Sequence, residues 1–372
     1  MVSRHMCLAA WAMVQPDVNR DLGFSSTELG AMDMTYLYAY SFGNLLNGHL
    51  NDRFPIRIVV PGGMLLAGCT YFLTVILANL REIRLWPYVL LWGCNGLTQS
   101  TVWAGTVALM ANWFAPESRG KVLGSWSANA NCGDILGSLT AGFLLMLGVR
   151  WPLIMLLEAG LMCCVALLFL GVARDHPEEQ VLGEKKRAYP FWEAWLLPGV
   201  AVYSVDFAFV KLLNYGMLFW LPYFLSNHLH VSGMMRGLIA ASYDVGAILG
   251  SGVTGWASDR VGSRVLVLVP NLTLAIPLFF CLRLGESVWP YFVMVPLLGW
   301  TVGGSANVIT SAAAADLARH RDKTGAPVES TATVAGIIDG SGSIGAGLGQ
   351  LLIGYLRNIS WNLAFGFLMG MH

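Results

Sequence analysis

Apolar runs separated by short polar breaks occupy almost the whole chain. Ten of them are long enough to span a bilayer, at 28–50, 58–79, 86–112, 121–147, 151–173, 192–226, 235–258, 264–284, 288–315 and 328–356. At a rise of about 1.5 Å per residue, about 20 apolar residues cross the hydrocarbon core. The end pieces 1–17 and 359–372 are shorter, and each predicts only part of a helix. The pattern predicts an all-α membrane protein, a twelve-helix bundle in two six-helix halves, truncated in its first and last helices. The polar stretch 174–190 is the one long break. It divides the chain into an N-terminal helical half (1–173), a linker (174–190) and a C-terminal helical half (191–372).

The two halves repeat one another. Gly48-His-Leu-Asn-Asp52-Arg53-Phe-Pro-Ile-Arg57 ends one run, and Gly255-Trp-Ala-Ser-Asp259-Arg260-Val-Gly-Ser-Arg264 ends its counterpart. Both read G-x-x-x-D-R-x-x-x-R. Gly124, Gly133, Gly137 and Gly142 also match Gly336, Gly345, Gly349 and Gly354 at one constant offset. A duplicated set of membrane helices is the architecture of a secondary transporter. Glycines at matched places predict matched close helix crossings.

Composition agrees with lipid surroundings. Hydrophobic residues make up 56% of the chain and charged residues 12%, against about a quarter charged in soluble domains. The formal net charge of zero argues against a nucleic-acid partner. The few charges are placed unevenly. Thirteen Lys and Arg fall in the even-numbered loops, including Arg53, Arg57, Lys185, Lys186, Arg187, Arg260 and Arg264. Seven fall on the other side: Arg20, Arg81, Arg84, Arg150, Arg236, Arg283 and Arg357. Basic loops stay cytoplasmic, so the linker and both signatures are expected on that side. The seven cysteines sit in apolar runs without ligand spacing, and the seven histidines lie mostly at loops or ends. No metal and no cofactor are expected. Gly340-Ser-Gly-Ser-Ile-Gly345 imitates a dinucleotide fingerprint, but it lies inside an apolar run with no strand before it. No nucleophile–base pattern is visible, so an enzyme is not expected.

An ionisable side chain inside a membrane helix is costly, so it usually faces a cavity and works there. The chain offers Asp33, Asp134, Glu158, Asp206, Lys211, Asp244 and Asp339. Lys211 is the one basic residue well inside a run. Asn214 and Tyr215 follow at helical spacing, so the three can share a face. Asp206 lies five residues before Lys211 and points elsewhere on the helix. An aspartate of another helix is the plainer partner for Lys211, with substrate or coupling as the functional alternative. Tyr36 and Tyr40 follow Asp33 on one face. In the run 121–147, the fifth helix of the bundle, Trp126 and Asn129 share a face with Gly133, while Ser127, Asn131 and Asp134 share another, and either face can look into the cavity. Gly48, Asp52, Arg53, Gly255, Asp259 and Arg260 are expected to hold the cytoplasmic face shut through helix-end contacts. Asp244 and Asp339, set among glycines, are candidates for gating or coupling.

Several passages together resemble the major facilitator superfamily, in particular its organophosphate:phosphate antiporters and the sugar-phosphate exchangers of solute carrier family 37. They are Lys211-Leu-Leu-Asn214-Tyr215-Gly-Met-Leu-Phe-Trp220-Leu-Pro222, Tyr243-Asp244-Val-Gly246-Ala-Ile-Leu-Gly250, Ile309-Thr-Ser-Ala-Ala-Ala-Ala-Asp316-Leu and Ile337-Ile-Asp339-Gly-Ser-Gly-Ser-Ile-Gly345. Asn95-Gly-Leu-Thr-Gln99 and Gly133-Asp-Ile-Leu-Gly137 look similar as well. The resemblance implies a major facilitator-type bundle that exchanges a sugar phosphate for inorganic phosphate by alternating access, at an endoplasmic reticulum membrane. Lys211, Asn214, Tyr215, Tyr36, Tyr40, Trp126 and Asn129 become its candidate substrate residues. Two positions depart from the family. Where the first helix usually carries a cavity-facing Arg, alignment on Val14-x-Pro16 places Leu8 and Ala9, with Arg4 or His5 near enough to fill in. Where the fifth helix often carries a His, Asn129 stands. These departures expect half of the phosphate clamp to be missing. A proton-coupled or facilitative carrier of a non-phosphorylated anion, and a non-transporting relative or inactive fragment, stay open as alternatives.

Overall fold

Each long apolar run becomes one helix of a bundle. The computed structural model describes residues 1–114, 126, 128–175, 191–317, 319–321, 327–329 and 331–371, and of 45–53 the backbone only. Among the described residues there are twelve long helices. The first six are α1 (Val2–Leu22), α2 (Ser26–Arg53), α3 (Ile56–Asn79), α4 (Leu85–Trp113), α5 (Asn129–Met146) and α6 (Trp151–Val172). The second six are α7 (Val200–Asn227), α8 (Gly233–Val261), α9 (Val265–Leu284), α10 (291–317), α11 (Thr331–Ile359) and α12 (Trp361–Gly370). A single helical turn at Phe191–Trp195 leads into α7. One small departure from all-α structure is a ribbon pairing Arg319–Arg321 with Pro327–Glu329, between α10 and α11. The greater part of the 174–190 linker, together with Gly124 and Ser127, lies outside the described residues.

Six helices are long and apolar enough to cross a membrane by length and composition: α3, α6, α7, α8, α9 and the first 21 residues of α10. Most of α7 is buried, whereas little of α6 or α9 is. Leu153, Leu157 and Leu168 on α6, and Leu266, Val269 and Phe280 on α9, stand exposed on the outside of the bundle. Such a surface suits lipid. Outside that set of six, α1, α2, α4 and α11 carry many of the polar side chains of the interior, and α5, α7, α8 and α10 carry others. The end of the bundle where α6 stops and α7 starts is called here the linker face, and the opposite end the far face. Arg4 meets Tyr36 and Gln99, which lie well inside α2 and α4. So α1 runs from the middle of the bundle to the far face.

The matched glycines explain how the helices come so close. A Cβ on Gly137 of α5 would strike the backbone of Met6, and one on Gly133 would lie 2.5 Å from the carbonyl oxygen of Val2. In the second half, a Cβ on Gly345 would lie 2.6 Å from the carbonyl oxygen of Ala208, and one on Gly349 would strike Leu212. Thus α1 crosses α5 as α7 crosses α11. Gly142 and Gly354 do the same between halves, against Gly233 of α8 and Ser26 of α2. Small residues at such crossings let membrane helices pack backbone to backbone. Gly137→Ala is expected to destabilise the protein by about 1–3 kcal/mol through overpacking. Gly160→Ala, on an exposed face of α6 with open space beside it, is expected to be neutral or slightly stabilising. Thermal unfolding of the two variants in detergent checks this; equal melting temperatures would refute the packing argument.

Candidate functional site

Two cations are buried at mid-depth, one in each half. Arg4 is 2% exposed and Lys211 4%. Arg4 projects from α1 between α2 and α4. Its Nε donates to Gln99 Oε1 (2.9 Å), its Nη2 donates to the Tyr36 hydroxyl (3.1 Å), and its Nη1 lies 3.4 Å from His5 Nε2. The Tyr36 hydroxyl also donates to Gln99 Oε1 (3.1 Å). Gln99 Nε2 in turn donates to Asn95 Oδ1 (2.6 Å) and to the Tyr71 hydroxyl (3.2 Å). Every member of this network has a partner, as a buried polar group requires.

Lys211 projects from α7 toward α11. Its Nζ donates to Asp339 Oδ1 (2.6 Å), to Ser343 Oγ (2.8 Å) and to the Asp339 carbonyl (3.3 Å). Gly342 leaves the space for this stem, since a Cβ there would lie 2.9 Å from Lys211 Cδ. Asn44 of α2 donates to the other Asp339 oxygen (3.3 Å). The two cations meet over one ring. The Tyr40 centroid is 4.5 Å from Arg4 Cζ and 5.8 Å from Lys211 Nζ, within cation–π range. Tyr36 stacks on Tyr40 at 6.3 Å, and the Tyr215 ring lies 5.4 Å from Lys211 Nζ. A cation from each half, with three tyrosines around them, makes a place for a small anion with oxygen acceptors.

A third polar cluster joins α1, α5, α8 and α10. His5 Nδ1 lies 3.2 Å from Asp134 Oδ1. Asn131 Nδ2 donates to Asp244 Oδ1 (2.9 Å), and Asn307 Nδ2 donates to Asn131 Oδ1 (2.9 Å). Asn131 and Asp134, placed on one face of α5 by the sequence, both look inward, Asp134 to α1 and Asn131 to α8.

The sequence-predicted residues are placed as follows. Lys211, Tyr215, Tyr36, Tyr40 and Asp339 come together. Asn214 does not join Lys211; it turns to α8 and accepts from the Tyr243 hydroxyl (2.7 Å). Trp126 packs on Trp103 with centroids 5.3 Å apart. The Asn129 amide donates to the Trp126 carbonyl, and its Oδ1 is buried without a partner. Asp33 faces α1 rather than the centre, accepting from Trp11 Nε1 (2.8 Å) and Gln15 Nε2 (2.7 Å). Asp206 is exposed, and Lys211 pairs with an aspartate of another helix. In the second signature Asp259 pairs with Arg264 (2.6 Å), and Arg260 lies over Trp256 (4.8 Å). These partners belong to the signature itself rather than to a neighbouring helix end. Gly255 has open space beside it. The side chains of Gly48, Asp52 and Arg53 lie outside the described residues.

The missing first-helix cation is present. The alignment on Val14-x-Pro16 pointed to Leu8 and Ala9, and Arg4, one turn earlier on α1, is the residue that meets Gln99 and Tyr36. His5 is buried beside it. The far face is also tied in a way the sequence does not announce. Arg236 at the start of α8 is 3% exposed and lies 3.5 Å from Asp17 at the end of α1. Ser26 Oγ donates to the Gly354 carbonyl (3.0 Å) and Asn358 Oδ1 (2.5 Å), and Asn358 Nδ2 donates to Thr27 Oγ1 (2.8 Å). These contacts join the halves at that end.

A membrane bundle of two related halves, closed at one face and with one cation from each half at its centre, has the makings of an alternating-access carrier. Comparison with known proteins agrees. The Major Facilitator Superfamily model matches residues 5–321 and, in a second match, 207–372. Sugar phosphate exchanger 3 of Gallus gallus is 33% identical over 383 residues, which cover 92% of this chain and 76% of that protein. Glucose-6-phosphate exchanger SLC37A2 of Mus musculus is 31% identical, covering 96% and 78%. Among solved structures, a bacterial homolog to the human lysosomal transporter Spinster has a TM-score of 0.74 at 16% identity, over 96% of this chain and 80% of that one. The chain belongs to the major facilitator superfamily and, within it, to the sugar-phosphate exchangers of solute carrier family 37. It is a multi-pass membrane transporter, not an enzyme.

The Asp17–Arg236 pair yields a prediction. Asp17 is partly exposed and also pairs with Arg20 (2.6 Å), so loss of Arg236 costs about 1.5–3 kcal/mol, the worth of a contact to a charged group. Arg236→Gln is expected to loosen the far face, so that a cysteine placed at Ser26, buried against Gly354 and Asn358 of α11, becomes reactive to a membrane-impermeant maleimide. Labelling no faster than in the parent cysteine variant would count against a far-face clasp.

Proposed function

We propose that this chain exchanges a sugar phosphate or related organophosphate for inorganic phosphate by alternating access, with Arg4 and Lys211 as its anion ligands. The observation that carries the reading is the convergence of these two cations, one from each half, on the ring of Tyr40. The names of the relatives, Sugar phosphate exchanger 3 and Glucose-6-phosphate exchanger SLC37A2, support the substrate class. A guanidinium offers a flat fork to two phosphate oxygens, and an ammonium adds a compact point charge. Tyr36, Tyr40 and Tyr215 supply hydroxyls and ring faces around the anion. Asn129, Trp126 and Asn214 lie further out and would meet the organic part of the substrate.

Exchange, rather than one-way flow, follows from the charges. Bringing the halves together around an empty centre sets two cations toward each other where little water screens them. A bridging anion removes that repulsion and favours the closed intermediate. The carrier then reorients loaded in both directions, and the return of an empty carrier is slow. Asp339 holds Lys211 in the empty state and yields it to the anion. Asp244 and the two D-R signatures would take part in coupling and in closing the linker face. The basic loops support a cytoplasmic linker face, and the family resemblance supports the endoplasmic reticulum as the membrane.

The test is uptake of radiolabelled phosphate into proteoliposomes preloaded with phosphate. Uptake is expected, and external sugar phosphate is expected to compete. A hydrogen bond to a charged group is worth about 1.5–3 kcal/mol, so Lys211→Ala and Arg4→Ala should each lower exchange by roughly ten-fold or more. Arg4→Lys should not restore it, because the fork is lost. A folded wild-type protein with no phosphate exchange would overturn the phosphate assignment.

A further inference from the structure

The proposed anion site is surrounded by the wrong net charge. Its two cations are Arg4 and Lys211, yet five carboxyl groups are buried among the described residues: Asp33 and Glu158, held by Trp11, Gln15 and Thr140, and Asp134, Asp244 and Asp339. Asp339 is taken up by Lys211. That leaves Asp134 and Asp244, acidic neighbours of one another across the α5–α8 interface, facing Arg4 and one histidine. Two ionised carboxylates in a water-poor interface repel strongly. An arriving phosphate adds further negative charge to the same interior.

The hydrogen bonds show where a positive charge can enter. Arg4 is always a donor. With Arg4 Nη1 3.4 Å from His5 Nε2, that nitrogen must accept, and the ring carries its hydrogen on Nδ1. Nδ1 in turn faces Asp134 Oδ1 at 3.2 Å and Oδ2 at 3.3 Å. So Arg4 holds His5 in the neutral form while His5 donates to Asp134. If the guanidinium swings to an anion, His5 Nε2 loses its donor and becomes free to take a proton. The resulting imidazolium lies against Asp134. Asp244, held through Asn131 and Asn307, is the second carboxyl of the same cluster.

We propose that His5, Asp134 and Asp244 form a proton-binding site, and that a proton enters it when an anion engages Arg4. The proton comes from water and settles on His5 Nε2 or is shared between the two carboxyl groups. No covalent bond changes. Coupling of this kind is reciprocal, so proton binding also strengthens anion binding. Other groups face the cluster from each element packed against it. They are Arg4 and Cys7 from α1, Tyr36 and Tyr40 from α2, Glu158 from α6 and Lys211 and Tyr215 from α7. Tyr243 from α8 and Asp339 from α11 complete the set, and α10 contributes the neutral Asn307. Among them Glu158 is engaged by Thr140 (2.6 Å) and Asp339 by Lys211, which leaves His5, Asp134 and Asp244 as the groups able to respond. The inference rests on Arg4 as an anion ligand, as proposed above.

Infrared difference spectroscopy of the purified wild-type protein between acidic and alkaline buffer tests the site without requiring transport. A titrating carboxyl C=O band is expected, and Asp134→Asn or Asp244→Asn should remove it. Absence of such a band, or its persistence in both variants, would overturn the proposal. Phosphate added at constant pH should then strengthen the imidazolium signal of the wild type, and an unchanged signal would overturn the coupling to Arg4. In proteoliposomes, phosphate exchange by the wild type should fall as pH rises, and Asp244→Asn should flatten that profile. A variant profile parallel to wild type would also overturn it. A wild type that exchanges no phosphate at any pH refutes the phosphate assignment alone, and the infrared result still decides the proton site. If the Asn variants do not fold, Asp134→Glu and Asp244→Glu take their place: a shifted band supports the site, and a band unshifted in both overturns it.

Discussion

A cation buried in the middle of a membrane protein needs partners, or the fold loses several kcal/mol. This chain buries one in each half, and most of its interior architecture answers that demand. Arg4 is satisfied entirely within the first six helices, by Gln99, Tyr36 and His5. Lys211 is satisfied within the second six, by Asp339 and Ser343. Further polar side chains then exist to hold those partners. Asn95 steadies Gln99 and itself donates to Thr70 Oγ1 (2.6 Å). A half-satisfied network of this kind would cost more than an apolar core, so the whole set must be present together.

The glycine crossings make that set compact. They bring α1 onto α5 and α7 onto α11 with backbones nearly touching, so short side chains such as His5 and Asp134 can meet. Longer separations would need longer side chains and leave room for water, which would weaken each charged contact. The same packing ties α2 to α11 and α5 to α8 near the far face. Helices that line the interior can thus afford polar surfaces, because their crossings are held by backbone contact rather than by apolar side chains. This is also why α1, α2, α4 and α11 score poorly as isolated membrane spans while sitting deepest in the bundle.

Much of the fold is legible in the sequence because lipid imposes a simple rule: long apolar runs become helices. The repeated signature and glycine ladder expose the duplication, and the rarity of charge inside apolar runs exposes Lys211 and Asp339. Arg4 and His5 are harder to see. They stand at the start of a short run that soon meets Gln15, Asp17, Asn19 and Arg20, so the run reads as an end piece. Their signal lies in the repeat. Val2 packs on Gly133 as Ala208 packs on Gly345, and Met6 packs on Gly137 as Leu212 packs on Gly349. Counted from those contacts, His5 occupies in the first half the place of Lys211 in the second. Tyr36 and Tyr243 likewise stand at the same place before the two signatures. The Arg236–Asp17 pair has no such signal. Arg236 reads as an ordinary loop charge, and only the folded bundle brings α1 and α8 together around it.

The asymmetry between the repeats bears on the proposed mechanism. At equivalent places one half carries a lysine locked to a carboxylate and the other a histidine poised between an arginine and a carboxylate. Lys211 is held by a 2.6 Å ion pair to Asp339, so it is suited to hold an anion by exchange with that carboxylate. His5 can gain or lose a proton at Nε2, and on the proposed mechanism its state is set by what Arg4 is doing. Duplication therefore supplied two similar pockets, and divergence at one position made them unlike. Each empty half hydrogen-bonds its own cation, Lys211 to a carboxylate and Arg4 to neutral groups, so neither cation lacks partners until an anion spans both. On that reading the anion is the element that joins the halves, and its charge, more than its organic part, decides whether the carrier moves.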